Sequence, residues 1–390
     1  MKNLIKVSLV IVFLVILSGC SYRATRQGDS IINDSAKTII DDDGAEKSSL
    51  DERSEEELSN EKVYFGAGSN GEYFFSDIEN GEVKAIIPTG YEIISQHSYD
   101  IFPDYFILQK DNNLFSFKVE ERAVNIITDL ELGKNEKAYT EPSITEKDKF
   151  YIVIEEYDPN EELDFGGPSP INTRTYFFDA SMGKLTPAGD MDLYSCYKYD
   201  SKNERMFTWY CGEGYGYTIP LFISGLDGGS LQEVISTEDY GLQKDDWGSV
   251  YLNYNNGAFM ALEKNKPTKI TVVNPNPKEV VKEVYSISDK VKSQLDDAST
   301  YSVAIDRENH TIVIGQGYAI LLLKYNSDKE IVESKYIKEP EVYANFTFPY
   351  SGKIIYQSGS NLKIVNTDNW QIEKTIPVQA KRREEITLIK

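Results

Sequence analysis

Residues 361–378, NLKIVNTDNWQIEKTIPV, read as two short strands joined by a turn: an alternating apolar run, then Thr367, Asp368 and Asn369, then a second alternating run closed by Pro377. A lone two-stranded hairpin is marginal in water, so this one needs neighbours. Working outward through the chain, six relatives of it recur. The second strands of the repeating units are KVYFG from Lys62, YFILQ from Tyr105, KFYIVI from Lys149, RMFTWY from Arg205, GAFMAL from Gly257, HTIVIG from His310 and KIIYQ from Lys353, the last just before the quoted stretch, and their starts lie 43 to 56 residues apart. The partner strands follow as EYFFSD, LFSFKV, TYFFDA, LFISGL, KITVVN, ILLLKY and LKIVNT. An inner strand before these two and a fourth strand after them, QIEKTIPV in the quoted stretch, make four per unit. Four strands at a period of about 40 to 50 residues predict an all-β, seven-bladed propeller over residues 62–390, in which each sheet hides its faces against its neighbours.

Closure follows from the two ends. The first unit opens directly on its second strand, KVYFG, so it lacks an innermost strand. The chain finishes with REEITLIK, Arg383 to Lys390, alternating and apolar at Ile386, Leu388 and Ile389. This segment is expected to become the innermost strand of the first blade and to remove an open sheet edge. Residues 348–378 also resemble the YVTN-type β-propeller repeat, with its K-x-x-Y second strand, V-x-V-x-[DN]-T third strand and TIPV fourth strand. That resemblance implies the fold and brings no catalytic residue with it.

The N-terminus carries Lys2 and Lys6, the apolar run Val7 to Leu17, then Ser18, Gly19 and Cys20. This is the order of an export signal, and the apolar run is shorter than the roughly 20 residues of a membrane span. The stretch LSGC resembles the lipobox of bacterial lipoproteins. The resemblance implies removal of residues 1–19, acylation of Cys20, and attachment to a lipid bilayer at the cell membrane or outer membrane, outside the cytoplasm. The alternative is a plain secretory signal with an incidental cysteine. Residues 20–61 turn acidic, with DDDG and ERSEEE, and read as a disordered, self-repelling tether; a short helix through Glu52 to Leu58 is the other reading.

The formal net charge of −22 repels nucleic acid, and the basic run Lys381, Arg382 and Arg383 is too short to reverse that. In a four-stranded blade the connections from second to third strand and from fourth strand to the next blade leave on one face. The long connectors fall there: 130–139, 155–173, 211–218, 237–248 and 286–300. Loops longer than a scaffold needs are where binding residues gather. Carboxylates (Glu155, Glu156, Asp158, Glu161, Glu162, Asp164, Asp245, Asp246) share these connectors with Asn160 and with the rings of Tyr157, Phe165, Tyr215, Tyr217, Tyr240 and Trp247. An acidic surface holding flat rings suits a protein or carbohydrate partner, particularly a cationic one; solvated charge on tolerant loops is the bland alternative.

Chemistry is sparse. Two histidines give little material for His-based catalysis, and no serine or cysteine sits in a nucleophile elbow. Asp158, Asn160, Glu162 and Asp164 alternate as in the first half of a calcium loop, yet Leu163 occupies the glycine position and Ser169 the bidentate glutamate position, so no cofactor is predicted and calcium stays a minor alternative. Cys196 and Cys211 fall on neighbouring antiparallel strands. A turn at Asp200 to Asn203 would oppose Cys196 to Phe207, leaving the sulfurs about 13 Å out of register. A disulfide then needs a longer turn or a bulge; two buried thiols are the alternative. The sequence therefore reads as a non-catalytic binding module. Two rivals stand beside it. One is a glycan hydrolase or lyase working through carboxylates. The other is an accessory subunit of an envelope assembly complex, similar in role to the propeller lipoprotein of outer-membrane barrel assembly, whose G-x-x-x-W turn is absent here.

Overall fold

The computed structural model describes residues 64–69, 72–78, 81, 83–94, 101–159, 170–189, 196–210, 218–226, 231–242, 250–255, 257–263, 267–275, 277–295, 300–316, 319–338, 342–350, 352–358, 361–377 and 386–389. Within them the chain is almost entirely β, with one short helix, α1 (Asp289–Leu295), and a 3-10 turn at Glu238–Tyr240. No helix among the described residues is long and apolar enough to cross a membrane.

Each hairpin expected from the repeat forms. These are β1 (Tyr64–Ser69) with β2 (Glu72–Asp77), β5 (Tyr105–Lys110) with β6 (Asn113–Lys118), β9 (Lys149–Tyr157) with β10 (Pro170–Asp179), and β13 (Arg205–Tyr210) with β14 (Thr218–Gly225). The last three are β17 (Ala258–Glu263) with β18 (Lys269–Asn274), β21 (Thr311–Gln316) with β22 (Ala319–Tyr325), and β25 (Lys353–Ser358) with β26 (Asn361–Asn366). On one side the hairpins are flanked by β4 (Glu92–Ile93), β8 (Glu136–Pro142), β12 (Cys196–Asp200), β16 (Val250–Asn255), β20 (Thr300–Asp306) and β24 (Val342–Tyr350). On the other side stand β3 (Val83–Ile87), β7 (Ala123–Glu131), β11 (Lys184–Pro187), β15 (Gln232–Ile235), β19 (Val281–Ile287), β23 (Glu330–Lys338) and β27 (Ile372–Pro377). The strand beside β1 is the C-terminal β28 (Ile386–Ile389), antiparallel, with Tyr64 opposite Ile389 and Ala67 opposite Ile386.

Four groups form separate four-stranded sheets, while β12 to β23 merge into one twelve-stranded sheet. The merger rests on an antiparallel pair, Thr218 with Tyr251, and on two parallel pairs, Ser286 with Glu330 and Ile287 with Ile331. The middle strands are apolar on both faces and buried throughout much of their length, as in AFMALE of β17 and AILLLKY of β22. The outer β27 is exposed over most of its length. Such a gradient is what sheets covered on both faces require.

Four of the turns entering a second strand share one device. Glu204, Gly257, His310 and Gly352 each take a left-handed backbone immediately before it (φ 51°, 73°, 47° and 69°). In two of them an aspartate at the end of the preceding strand, Asp200 or Asp306, accepts from the backbone and side-chain amides of the asparagine three residues on, Asn203 or Asn309. Asx side chains suit such turns because they bond nearby backbone.

Several expectations are corrected. The turn closing β12 and β13 runs from Ser201 to Glu204, so Trp209, not Phe207, stands opposite Cys196. The left-handed Glu204 lets the turn sit one residue later than the sequence reading placed it. Cys196 is disulfide-bonded, not a free buried thiol; Cys211 lies outside the described residues. The connector 155–173 is shorter than read, because β9 runs through Tyr157 and β10 begins at Pro170. Likewise β7 reaches Glu131 and β8 starts at Glu136, and the 286–300 connector contains α1, which packs against β23 with Val291 buried in the core.

Candidate binding site on the third sheet

In the sheet of β8 to β11, the third in chain order, pairing of β8 with β9 sets Lys137 opposite Glu155, Tyr139 opposite Val153 and Glu141 opposite Tyr151. Strand alternation then gathers Lys137, Tyr139, Glu141, Glu155 and Tyr157 on one face of the sheet. At the end where β9 gives way to the connector, the Tyr157 hydroxyl donates to Glu155 Oε2, and the Tyr139 and Tyr157 hydroxyls lie 3.3 Å apart. Glu155 is 5% exposed. The exposed Lys137 holds its ammonium 5.3 Å from the centre of the Tyr157 ring.

Burial raises the Tyr157 pKa, and its bonds to Glu155 and Tyr139 raise it further. Burial raises that of Tyr139 as well. Both phenols therefore stay protonated and act as fixed donors.

The opposite face of the same strand ends is an ion cluster. Arg174 Nη2 reaches both Glu136 carboxylate oxygens at 2.7 and 2.9 Å, Gly133 N–H donates to Glu136 Oε2 at 2.6 Å, and Arg174 Nη1 donates to the Tyr176 hydroxyl at 3.3 Å. Burial pushes the Glu136 carboxyl up, but the Gly133 amide and the Arg174 guanidinium together hold it below its ordinary value. Deeper along β8, Glu141 Oε1 accepts from Lys198 Nζ of β12 at 2.7 Å with both side chains buried, and the same ammonium lies 4.9 Å from the Tyr254 ring. Burial drives the Tyr197 pKa well above its ordinary value, and neighbouring Tyr151, Glu141, Glu155 and Tyr139 add to it.

Tyr157, read from the sequence as a connector ring, lies in this patch, with Asp158 exposed just beyond it. Tyr240 belongs elsewhere. It is the buried last residue of the 3-10 turn, its hydroxyl 3.0 Å from Ala261 O and 2.7 Å from Thr271 Oγ1, so it is a core residue rather than a ligand contact. Reciprocal bonds between Ser236 and Asp239 nucleate that turn, and their spacing of three was the available signal. Asn160, Glu162, Asp164, Phe165, Tyr215, Tyr217, Asp245, Asp246, Trp247 and Cys20 lie outside the described residues. Among the described residues no group of three or more His, Cys, Asp or Glu side chains is placed to hold a metal ion. Lys137 and Tyr139 were missed as site residues because they were read as connector; the alternation in EKAYTE marked them as strand.

No family model and no curated protein matches the chain. Among solved structures it is similar to an uncharacterized protein of Listeria monocytogenes EGD-e, at 11% identity and a TM-score of 0.48, covering 83% of this chain and 94% of that one. It is similar to apo AztD of Citrobacter koseri at 9% identity and a TM-score of 0.42, covering 84% and 96%. An oligogalacturonate lyase of Vibrio parahaemolyticus matches at 11% identity and a TM-score of 0.46, covering 77% and 84%. At these levels no activity transfers from them to this chain.

Proposed function

We propose that the chain is a membrane-anchored extracytoplasmic lipoprotein, acylated at Cys20, whose β-sheets make a seven-bladed propeller that binds a protein or carbohydrate partner without catalysis. Seven antiparallel hairpins of even spacing support the propeller, as do the β1–β28 pairing and the Lys374 ammonium bonded to Ile78 O at 3.3 Å, which ties the last hairpin group to the first. The disulfide at Cys196 suits an oxidising compartment, and its partner in this reading is Cys211.

One observation carries the binding role. Among the described residues, three carboxylates of this sheet are already committed: Glu155 to Tyr157, Glu136 to Arg174 and Glu141 to Lys198. A hydrolase or lyase of the carboxylate type needs a general acid of raised pKa, and Glu136 is held low. What the arrangement offers is a patch of rings beside carboxylates already held by partners, suited to recognition.

Two experiments test the reading. Capture from cell-envelope extract by the chain from residue 63 onward is expected to recover a partner that is lost when residues 158–169 are deleted; equal recovery by both versions overturns the site. Removal of residues 384–390 is expected to lower Tm sharply, and an unchanged melting curve overturns the closed ring.

A further inference from the structure

Among the described residues, the cations that sit over aromatic rings fall into two kinds. Lys118, Lys198, Arg205, Lys269, Lys329 and Lys335 each have a second anchor: Glu121, Glu141, Asp200, the Asp239 carbonyl, Glu283 and the Trp370 carbonyl in turn. Lys137 differs: among the described residues its ammonium makes no ion pair or hydrogen bond, and it rests on the face of Tyr157 alone. Lys110, over Tyr91 at 5.0 Å, is likewise unanchored among the described residues. The two rings differ, however, because only that of Tyr157 has its hydroxyl fixed, donating to the buried Glu155 and 3.3 Å from the Tyr139 hydroxyl.

That fixing has an electrostatic effect. A phenol donating to a carboxylate shifts electron density into its ring, and the Glu155 charge two residues away adds attraction for a cation at the ring face. Tyr157 is half-buried, and the occupant of its ring face is an exposed, flexible side chain of the same protein. A cation held this way is easily displaced.

We propose that the Tyr157 ring, backed by Glu155 and Tyr139, is a cation-accepting subsite for an arginine or lysine side chain of a basic polypeptide segment, and that Lys137 occupies it in the absence of that partner. The inference rests on the binding role proposed above and narrows its partner to one with exposed basic side chains. The formal net charge of −22 favours such an encounter. A guanidinium is the better occupant, since it stacks on a ring at lower desolvation cost than an ammonium.

The test is a titration of the full-length chain with a labelled hexapeptide of alternating glycine and arginine, at about 0.15 M salt, read by fluorescence anisotropy. Lys137→Ala vacates the ring and is expected to tighten binding about two- to fivefold, the worth of an exposed cation–ring contact. Lys134→Ala, which removes the same charge from the neighbouring turn, is expected to change affinity less. Tyr157→Leu is expected to weaken binding by a similar factor and, when combined with Lys137→Ala, to abolish the tightening, with a circular dichroism melt confirming that the variant folds. A peptide carrying citrulline for arginine is expected to respond to none of these changes. Equal tightening by the Lys134 and Lys137 variants overturns the subsite, as does a Tyr157→Leu chain that folds and binds like the parent. If those results appear while deletion of 158–169 still abolishes partner capture, the binding role stands and only the subsite falls.

Discussion

Two contacts between neighbouring hairpin groups are filled in opposite ways. Where the β8–β11 group meets the β12–β15 group, the filling is tyrosine and ions: Tyr151 stands edge-on to Tyr197, Phe177 stacks on Tyr199, Lys198 pairs with Glu141, and Thr145 Oγ1 donates to Asp200. Where the β16–β19 group meets the β20–β23 group, the filling is mostly aliphatic, with Met260, Leu262, Ile270, Val272, Ile314 and Leu321 all buried. An aliphatic contact accepts any set of side chains of the right volume. A polar one is specified partner by partner, because each buried donor or charge left alone carries its full desolvation cost. The proposed binding patch on the third sheet sits beside the strictly specified contact.

Breaking one charge is the strongest challenge to that contrast. Lys198→Met leaves Glu141 buried beside an apolar side chain and is expected to cost about 3 to 5 kcal/mol in chemical denaturation, whereas the pair Glu141→Leu with Lys198→Met is expected to recover most of the loss. A single variant within about 1 kcal/mol of the parent would sink the claim that this contact is specified by partners.

Next comes volume. Leu321→Ala in the aliphatic contact is expected to cost about 2 to 5 kcal/mol, and Leu321→Met less than about 1.5 kcal/mol. If Glu141→Gln, equally conservative in shape, costs no more than Leu321→Met, the two contacts do not differ in kind.

The smallest effect concerns pH and should not separate the regions. Burial raises the pKa of both Glu136 and Glu283, but Gly133 and Arg174 in one case, and Lys329 and Arg307 in the other, bring each below its ordinary 4.5. A depressed carboxylate contributes stability that is present above its unfolded pKa and lost as pH falls through the folded one. Tm is therefore expected to fall from about pH 4.5 downward, and Glu136→Gln and Glu283→Gln are each expected to flatten that limb. A steeper limb in either variant would contradict the assigned ion pairs.

The sequence made the hairpins legible because alternation and turn residues are local signals, and each pair of middle strands is apolar enough to leave no other placement. Register was less legible. A single left-handed residue, Glu204, moved the β12–β13 turn by one position and brought Trp209 opposite Cys196. The helix α1 was missed because DKVKSQL is about two turns long, too short to establish a period, and is positioned by Val291 entering a core built by distant strands. For the candidate site, Tyr157 was legible as an aromatic at a connector. Glu155, two residues before it, was legible beside it, but Lys137 and Tyr139 were not gathered around it, since their meeting depends on the pairing of β8 with β9 rather than on proximity in the chain.

The pairing of the last strand with the first has a consequence for how the protein is made. Polymerisation runs from the N-terminus, so β1 waits through roughly 320 residues, tens of seconds at about 5 to 20 residues per second, before β28 exists to cover its edge. During that interval an incomplete sheet is available to strangers, and any process that stalls or clips the nascent chain near its end releases a molecule with an unguarded flank.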